Sequence, residues 1–505
     1  MRPRHLLSVV ALLTISVAGV IAADVFQHHL KSTRDGLYVD PLITPAAAMT
    51  THRDVTFNAP LSGPVYAQPL YVANGPQGFA AVIVATEQDD VLAFAAADGS
   101  PLWAAHLGTP VPLGALPCGN IDPLGITGTP VIDPAARVIY VDAMTTPDDG
   151  TTKRHLIYAL SLDDGSTLTG WPVDVNTLSF GGVTFDSTVQ NQRGALLLSD
   201  GYLYVPYGGH WGDCGTYHGW VVAVPVGDPG SATAWATDAR GGGIWAPGGL
   251  SSDGASVFAA TGNTFGATQW MGGEAIIRLG AGPAFSGDPA DYFAPSDWRS
   301  LDATDLDIGG VGPLVIDVPG ATPSQLIVAL GKNGVGYLLD RQYLGGIGTG
   351  DGTTGEGLFS ARVASGQTRN APAAFTTASG TSVVFSGGGT GVGCPGTPGD
   401  LVALRINPTS PPTFGVAWCA ANNGRGSPIV TTTDGFSNPI VWTVGAEGTN
   451  RLYAYDGETG GMLFNGGGSD EQMTLVRRFS TPIVADGRIF VAAGDRLYAF
   501  TTQSP

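Results

Sequence analysis

One four-stranded unit recurs about eight times along the 505-residue chain, and that period constrains the fold more than any single residue does. Each copy opens on a small residue or proline that leads into a strand. An aliphatic–aromatic strand and a Gly-rich turn follow, then a strand of the Leu-Tyr-Ala-Phe type, an Asp-Gly turn and a short outer strand. The copies are plainest over 67–107, 129–173 and 427–460, and the last one stops at Phe500. Repeats of about 40 to 60 residues with several short strands each cannot bury their own faces, and arranged around an axis they form blades. The predicted fold is therefore all-β, a single eight-bladed β-propeller of four-stranded antiparallel blades, with seven blades and an irregular tail as the alternative count. The blades start near Val65, Gly125, Arg193, Gly241, Gly309, Thr368, Arg425 and Ser480. The eighth holds only three good strands, so Asp54–Asn58 is expected to supply the fourth and close the ring between the chain ends.

Composition agrees with many tight turns. Glycine contributes 75 residues, roughly twice the usual share of about 7%, and no long stretch after residue 25 keeps a helical period. With a net charge of −19 the chain is a poor partner for phosphate backbones, so no nucleic acid is expected. Arg2, Arg4 and His5 precede an apolar run from Leu6 to Ala23 that ends in small residues, the grammar of a secretory signal peptide. The run is long enough that an uncleaved anchor is the alternative. The organisation expected is a signal peptide over 1–23, a leader over 24–51 and the ring over 52–505. That makes the protein secreted or periplasmic rather than integral to a membrane. His28 and His29 fall in the leader and carry no expected role.

Strand alternation puts every b–c turn and every d-to-a connection on one face. Polar, aromatic and cysteine residues gather there, whereas the opposite turns are simple Asp-Gly pairs, so binding or chemistry is expected on the first face. Four cysteines in an exported chain suggest two disulfides. The topology favours Cys118 with Cys214 and Cys394 with Cys419, although the sequence alone leaves three connectivities. No Cys-x-x-Cys-His motif occurs, so no haem is expected.

The Asp98-Gly99 to Trp103 closure and the Tyr-Ala-Phe/Tyr strands resemble the repeats of pyrroloquinoline-quinone (PQQ) enzymes of the quinoprotein alcohol dehydrogenase type, from about residue 60 to the end. Finer matches follow in order. Gly241-Gly242-Gly243-Ile244-Trp245 is similar to the stretch whose tryptophan lies under the flat quinone. Ala260-Thr261-Gly262-Asn263 is similar to the turn whose asparagine donates an oxygen to the metal. Asp305-Leu306-Asp307 resembles the motif whose first aspartate is the catalytic base and whose second marks lanthanide users. Lys332-Asn333-Gly334 resembles the turn whose cation meets the quinone oxygens. The resemblance thus implies Asp305 as base, and Trp245, Lys332 and Cys118 around a non-covalent PQQ. It implies Asn263, Asp305, Asp307 and Asp213 as ligands of Ca²⁺ or a lanthanide.

Two departures stand beside it. The loop Gly209–Cys214 lacks the family's glutamate ligand and offers only Asp213, and the family's adjacent cysteine pair is reduced to Cys118-Gly119. Each residue also has a plainer reading. Trp245 serves equally as core, Asn263 as a turn former, and Asp305 and Asp307 as turn caps, although in a strand an i, i+2 pair faces one way. Asp302 is a third carboxylate that could lie within reach. Lys332 is simply exposed unless Asp305 lies opposite. His210, His218 and Trp220 flank Cys214 and either form a binding rim or pack beneath the disulfide. Two functions follow. One is an oxidoreductase of alcohols or sugars that passes electrons to an external acceptor. The other is a non-catalytic propeller that binds an extracellular protein or glycan.

Overall fold

The computed structural model describes residues 24–350 and 354–502, so the signal-peptide expectation for 1–23 lies outside the described residues. Among the described residues eight sheets of four or more strands succeed one another along the chain, beside one two-stranded hairpin of Ser179–Phe180 with Val183–Thr184, which fixes the blade count at eight. Blade 1 shows the plan: Leu70–Val72, Ala81–Ala85, Asp90–Ala95 and Pro101–His106, each antiparallel to the next. Blade 4 gains a fifth strand, Gly346–Ile347, parallel to Tyr292–Ala294. The inner strands are almost wholly apolar, as expected for strands buried on both faces between neighbouring blades.

Tryptophans tie blade to blade. Trp103 Nε1 donates to Leu162 O at 2.9 Å, and Trp418 Nε1 donates to Gly457 O at 2.8 Å. The c–d turn of the next blade needs a glycine here. A Cβ on Gly165 (φ +73°) would lie 2.7 Å from the Trp103 ring, and one on Gly460 (φ +72°) would lie 2.7 Å from that of Trp418. The tryptophan that closes the Asp98-Gly99 to Trp103 motif, and Trp418 on the outer strand of blade 6, thus dock one blade on the next.

The ring closes between the chain ends, but not with the residues expected. His52–Arg53 pairs with Phe500 and Thr501, and Ala59–Pro60 pairs with Arg496 and Leu497. Asp54 N still donates to Ala499 O at 2.9 Å, but 55–58 arches away, because Asp54 Oδ1 accepts from both the backbone N and the Oγ1 of Thr56 and curls the chain into a turn. Phe57 then drops into the core against Phe490.

The segment read as a leader is part of the ring. Residues 24–40 run across the inner edges of the blades, on the side of the simple turns, and touch all eight. Tyr71, Ile132, Ser252, Val315, Ala374 and Val430 donate backbone N–H groups to carbonyls of Val25, Phe26, Ser32, Thr33, Asp35 and Gly36. Leu37–Val39 adds a parallel strand inside blade 7. Arg34 reaches Leu196 O at the inner strand of blade 3, and Gly487 N of blade 8 donates to Asp40 Oδ2. His28 and His29, assigned no role from sequence, are buried and stacked 4.4 Å apart within this plug.

Candidate functional site

At the other end of the axis the b–c turns and d-to-a connections surround a well of about 270 Å³. Its floor is set by a tight passage. Gly241 (φ +92°) sits where a Cβ would lie 2.4 Å from Asn263 O, so only glycine lets the chain pass into blade 4 and present Trp245. Trp245 is half-buried in the wall of the well, and its Nε1 donates to Asp307 Oδ2 at 2.9 Å. Lys332 Nζ lies 4.8 Å from its ring centroid, a cation–π contact.

Asp305 and Asp307 do converge, but not through a strand pleat. The chain forms a short helix, Trp298–Thr304, which Asp305 terminates in the left-handed conformation (φ +53°). That reversal turns both carboxylates towards Lys332, whose Nζ is 2.6 Å from Asp305 Oδ1 and 2.5 Å from Asp307 Oδ1. Lys332 is only 10% exposed, against 63% for the Asp305 side chain, so the lysine is a site residue rather than a solvated turn residue. Burial disfavours its charge, yet Asp307 and Asp305 outweigh burial and raise its pKa. Burial raises the pKa of Asp307 despite the pull of Lys332.

Asn263 Nδ2 donates to Asp305 Oδ1 at 3.3 Å, while its Oδ1 is buried with no partner. A buried amide oxygen left without a donor beside two carboxylates has the chemistry of a hard-cation ligand. Among the described residues, however, no three His, Cys, Asp or Glu side chains form an ion cage by themselves. Asp302 faces elsewhere. It accepts from Thr264 N and Oγ1, both at 2.7 Å, and braces the Asn263 turn from behind.

The other sequence candidates divide. Asp213 lines the well and accepts from Tyr217 OH at 2.6 Å. His210 also lines it, and burial lowers its pKa to about 4, so its ring is neutral. Both expected disulfides are present. Neither Cys118 nor its partner Cys214 is in the wall. Their loop neighbours Asn120, Ile121, Trp211 and Asp213 are, so the bridge frames the well without covering it. His218 and Trp220 do not reach it. His218 Nδ1 meets Thr237 O at 2.8 Å, and Trp220 packs inside blade 3.

Sequence reasoning missed several groups. Tyr66, Arg193, Arg369, Arg478 and Phe479 all line the well. Each stands at the start of a blade, the same phase of the repeat as Trp245, and that phase was the available signal. Glu274 was also missed. It is buried behind Asp307, its Oε2 accepts from Ile308 N at 2.9 Å, and its Oε1 has no partner. Burial, then the charge of Asp307, pushes its pKa well above the ordinary carboxyl value, which favours its protonated form.

No protein-family model matches the chain, and no curated protein matches it by sequence. Solved structures do resemble it. The quinohemoprotein alcohol dehydrogenase of Comamonas testosteroni superposes with TM-score 0.62 at 14% identity, covering 96% of this chain and 81% of that one. A quinohemoprotein alcohol dehydrogenase of Pseudomonas putida HK5 gives 0.65 at 13%, with the same coverages of 96% and 81%. A europium-containing methanol dehydrogenase gives 0.60 at 13%, covering 95% of this chain and 98% of that one. The chain has the eight-bladed fold of the quinoprotein alcohol dehydrogenase propellers.

Proposed function

We propose that the well binds PQQ over Trp245 and that the protein is an exported quinoprotein-type oxidoreductase of an alcohol or sugar. The observation that carries this reading is the convergence of Trp245, Asn263, Asp305, Asp307 and Lys332 on one axial cavity. When bound, PQQ supplies the two-electron acceptor, which an external electron acceptor would reoxidise. Trp245 offers it a flat aromatic floor, fixed in plane by Asp307. Asn263 Oδ1, Asp305 and Asp307 would hold a Ca²⁺ or lanthanide ion, with the orphaned Asn263 oxygen as the best argument for one. Asp213 is already engaged by Tyr217 and belongs to the framework.

Asp305 is the exposed carboxylate of the pair and the one a substrate hydroxyl can reach. It takes the hydroxyl proton as general base. Lys332 places a positive charge beside the reacting centre, and the two acids keep it protonated. Two disulfides fit an oxidising compartment, in line with a signal peptide over 1–23.

The test is reconstitution of the mature chain with PQQ and either Ca²⁺ or La³⁺. Quinone absorbance retained through gel filtration and alcohol-dependent dye reduction are expected. The Asp305→Asn variant should keep the quinone and lose about 10²- to 10⁴-fold in turnover. No quinone retained with either ion would defeat the proposal.

A further inference from the structure

Beside the well, and sharing Arg369, Arg478 and Phe479 with it, lies a second chamber of about 210 Å³ between the starts of blades 6, 7 and 8. Its charge is one-sided. Arg369, Arg425 and Arg478 line it, and among the described residues no carboxylate does. Glu447 is taken by Arg478, whose Nε is 3.0 Å from both of its carboxylate oxygens, while Arg425 stands 3.7 Å off. Among the described residues Glu447 is thus the one carboxylate that pairs with any of the three guanidiniums, in a protein whose net charge is −19. Arg369 has no ion pair among the described residues, and its Nε is buried without a partner. Burial lowers its pKa, while the charges of Asp305 and then Asp307 act to raise it, which sets this arginine near the proposed base. A guanidinium presents a fork of donors matched to carboxylate or phosphate, and leaving those donors unpaired in a buried wall is costly.

We infer that the chamber is an anion subsite and that the substrate is a hydroxy compound carrying a carboxylate or phosphate. Its anionic end seats on Arg369 and Arg425 and its hydroxyl lies at Asp305. This rests on the oxidoreductase reading above and adds the substrate class to it. The substrate rather than the cofactor is the occupant because a ring over Trp245 lies in the main well. There a different arginine, Arg193, without an ion pair among the described residues, faces it from blade 3.

The test is calorimetric titration of the quinone-free protein with D-gluconate, D-glucose and inorganic phosphate. Gluconate and phosphate should bind, with glucose at least about tenfold weaker. Raising NaCl from about 50 to about 500 mM should weaken gluconate but leave glucose unchanged. Arg369→Gln should weaken gluconate about tenfold, as loss of a charge-assisted hydrogen bond does. Arg425→Gln, at a 59% exposed side chain, is a second variant should Arg369→Gln fold poorly. Equal affinities for gluconate and glucose, or arginine variants without effect, would overturn the inference. So would mutual exclusion of gluconate and PQQ, which would give the chamber to the cofactor. Failure to load PQQ defeats the oxidoreductase reading alone, because the charge selectivity is read without it.

Discussion

The two ends of the propeller axis both bury arginine, and they treat it in opposite ways. At the plugged end every guanidinium nitrogen of Arg34 donates: Nε to Leu250 O at 2.8 Å, one terminal nitrogen to His28 O at 2.8 Å and the other to Leu196 O at 2.9 Å. Burial lowers its pKa to about 9, which still leaves it charged at neutral pH. At the open end Arg193 and Arg369 line cavities without an ion pair among the described residues. A buried cation whose nitrogens all donate to the protein holds the fold together, whereas one left without partners is kept for a ligand. The largest effect should therefore lie at the plug. Arg34→Met strands three backbone carbonyls from three parts of the ring. It should cost about 3 to 5 kcal/mol in denaturant unfolding while any folded fraction still binds PQQ. A loss under about 1 kcal/mol would break the contrast.

The ends should also answer pH with opposite signs. In the plug, burial is the main cause that lowers the pKa of His29 from 6.5 to about 4, and it lowers that of His28 too. The folded state resists the proton, so this share of stability is present above about pH 6.5 and is lost as pH falls towards 4. On the well side Glu87 is buried, accepting from Gly125 N and Thr127 Oγ1, and burial raises its pKa from 4.5 to about 7. Here the folded state prefers the proton, so the contribution is full below about pH 4.5 and is lost as pH rises through 7. The two slopes oppose each other in the parent protein. Relative to it, Glu87→Gln should gain up to about 3 kcal/mol between pH 4.5 and 7, and His29→Gln a comparable amount as pH falls from 6.5 to 4. Parallel stability–pH curves for parent and variants would remove the distinction.

This contrast also explains what could be read from the sequence. The blades and the face that carries the well follow from the repeat, because a strand's phase decides which end of the axis its turns reach. The disulfide pairing followed from the same phase. Trp245, Asn263, Asp305 and Lys332 came from motifs, and the structure brings them together. The reason for the Asp305–Asp307 convergence differs, however, since a helix ended by a left-handed residue does not follow from i, i+2 spacing. The plug was illegible for a physical reason. Residues 24–36 pair through carbonyls of irregular backbone, which leave no period in the side chains. Arg369 and Glu274 were missed because their meaning lies in buried atoms, Arg369 Nε and Glu274 Oε1, that lack partners, and the sequence shows the residue but not the company its atoms lack.

The smallest expected effect is the sharpest test of the comparison. Arg193 borders both the main well and a small void whose other walls include His28 of the plug, so it stands where the two regions meet. Burial lowers its pKa, and the neighbouring charges of Arg478 and Arg369 act in the same direction, against Tyr66 and Glu87. It is therefore already held at a cost in the ligand-free protein. Arg193→Met keeps the length of the side chain and removes that cost, so unfolding should change by no more than about 1 kcal/mol, and towards greater stability. The same change should weaken PQQ about tenfold, because the cofactor's carboxylates lose a guanidinium partner. Paired melts and quinone titrations of Arg193→Met and Arg34→Met read this directly. If Arg193→Met destabilised the fold as much as Arg34→Met, without touching quinone affinity, both arginines would be structural and the well would lose its claim to a waiting charge.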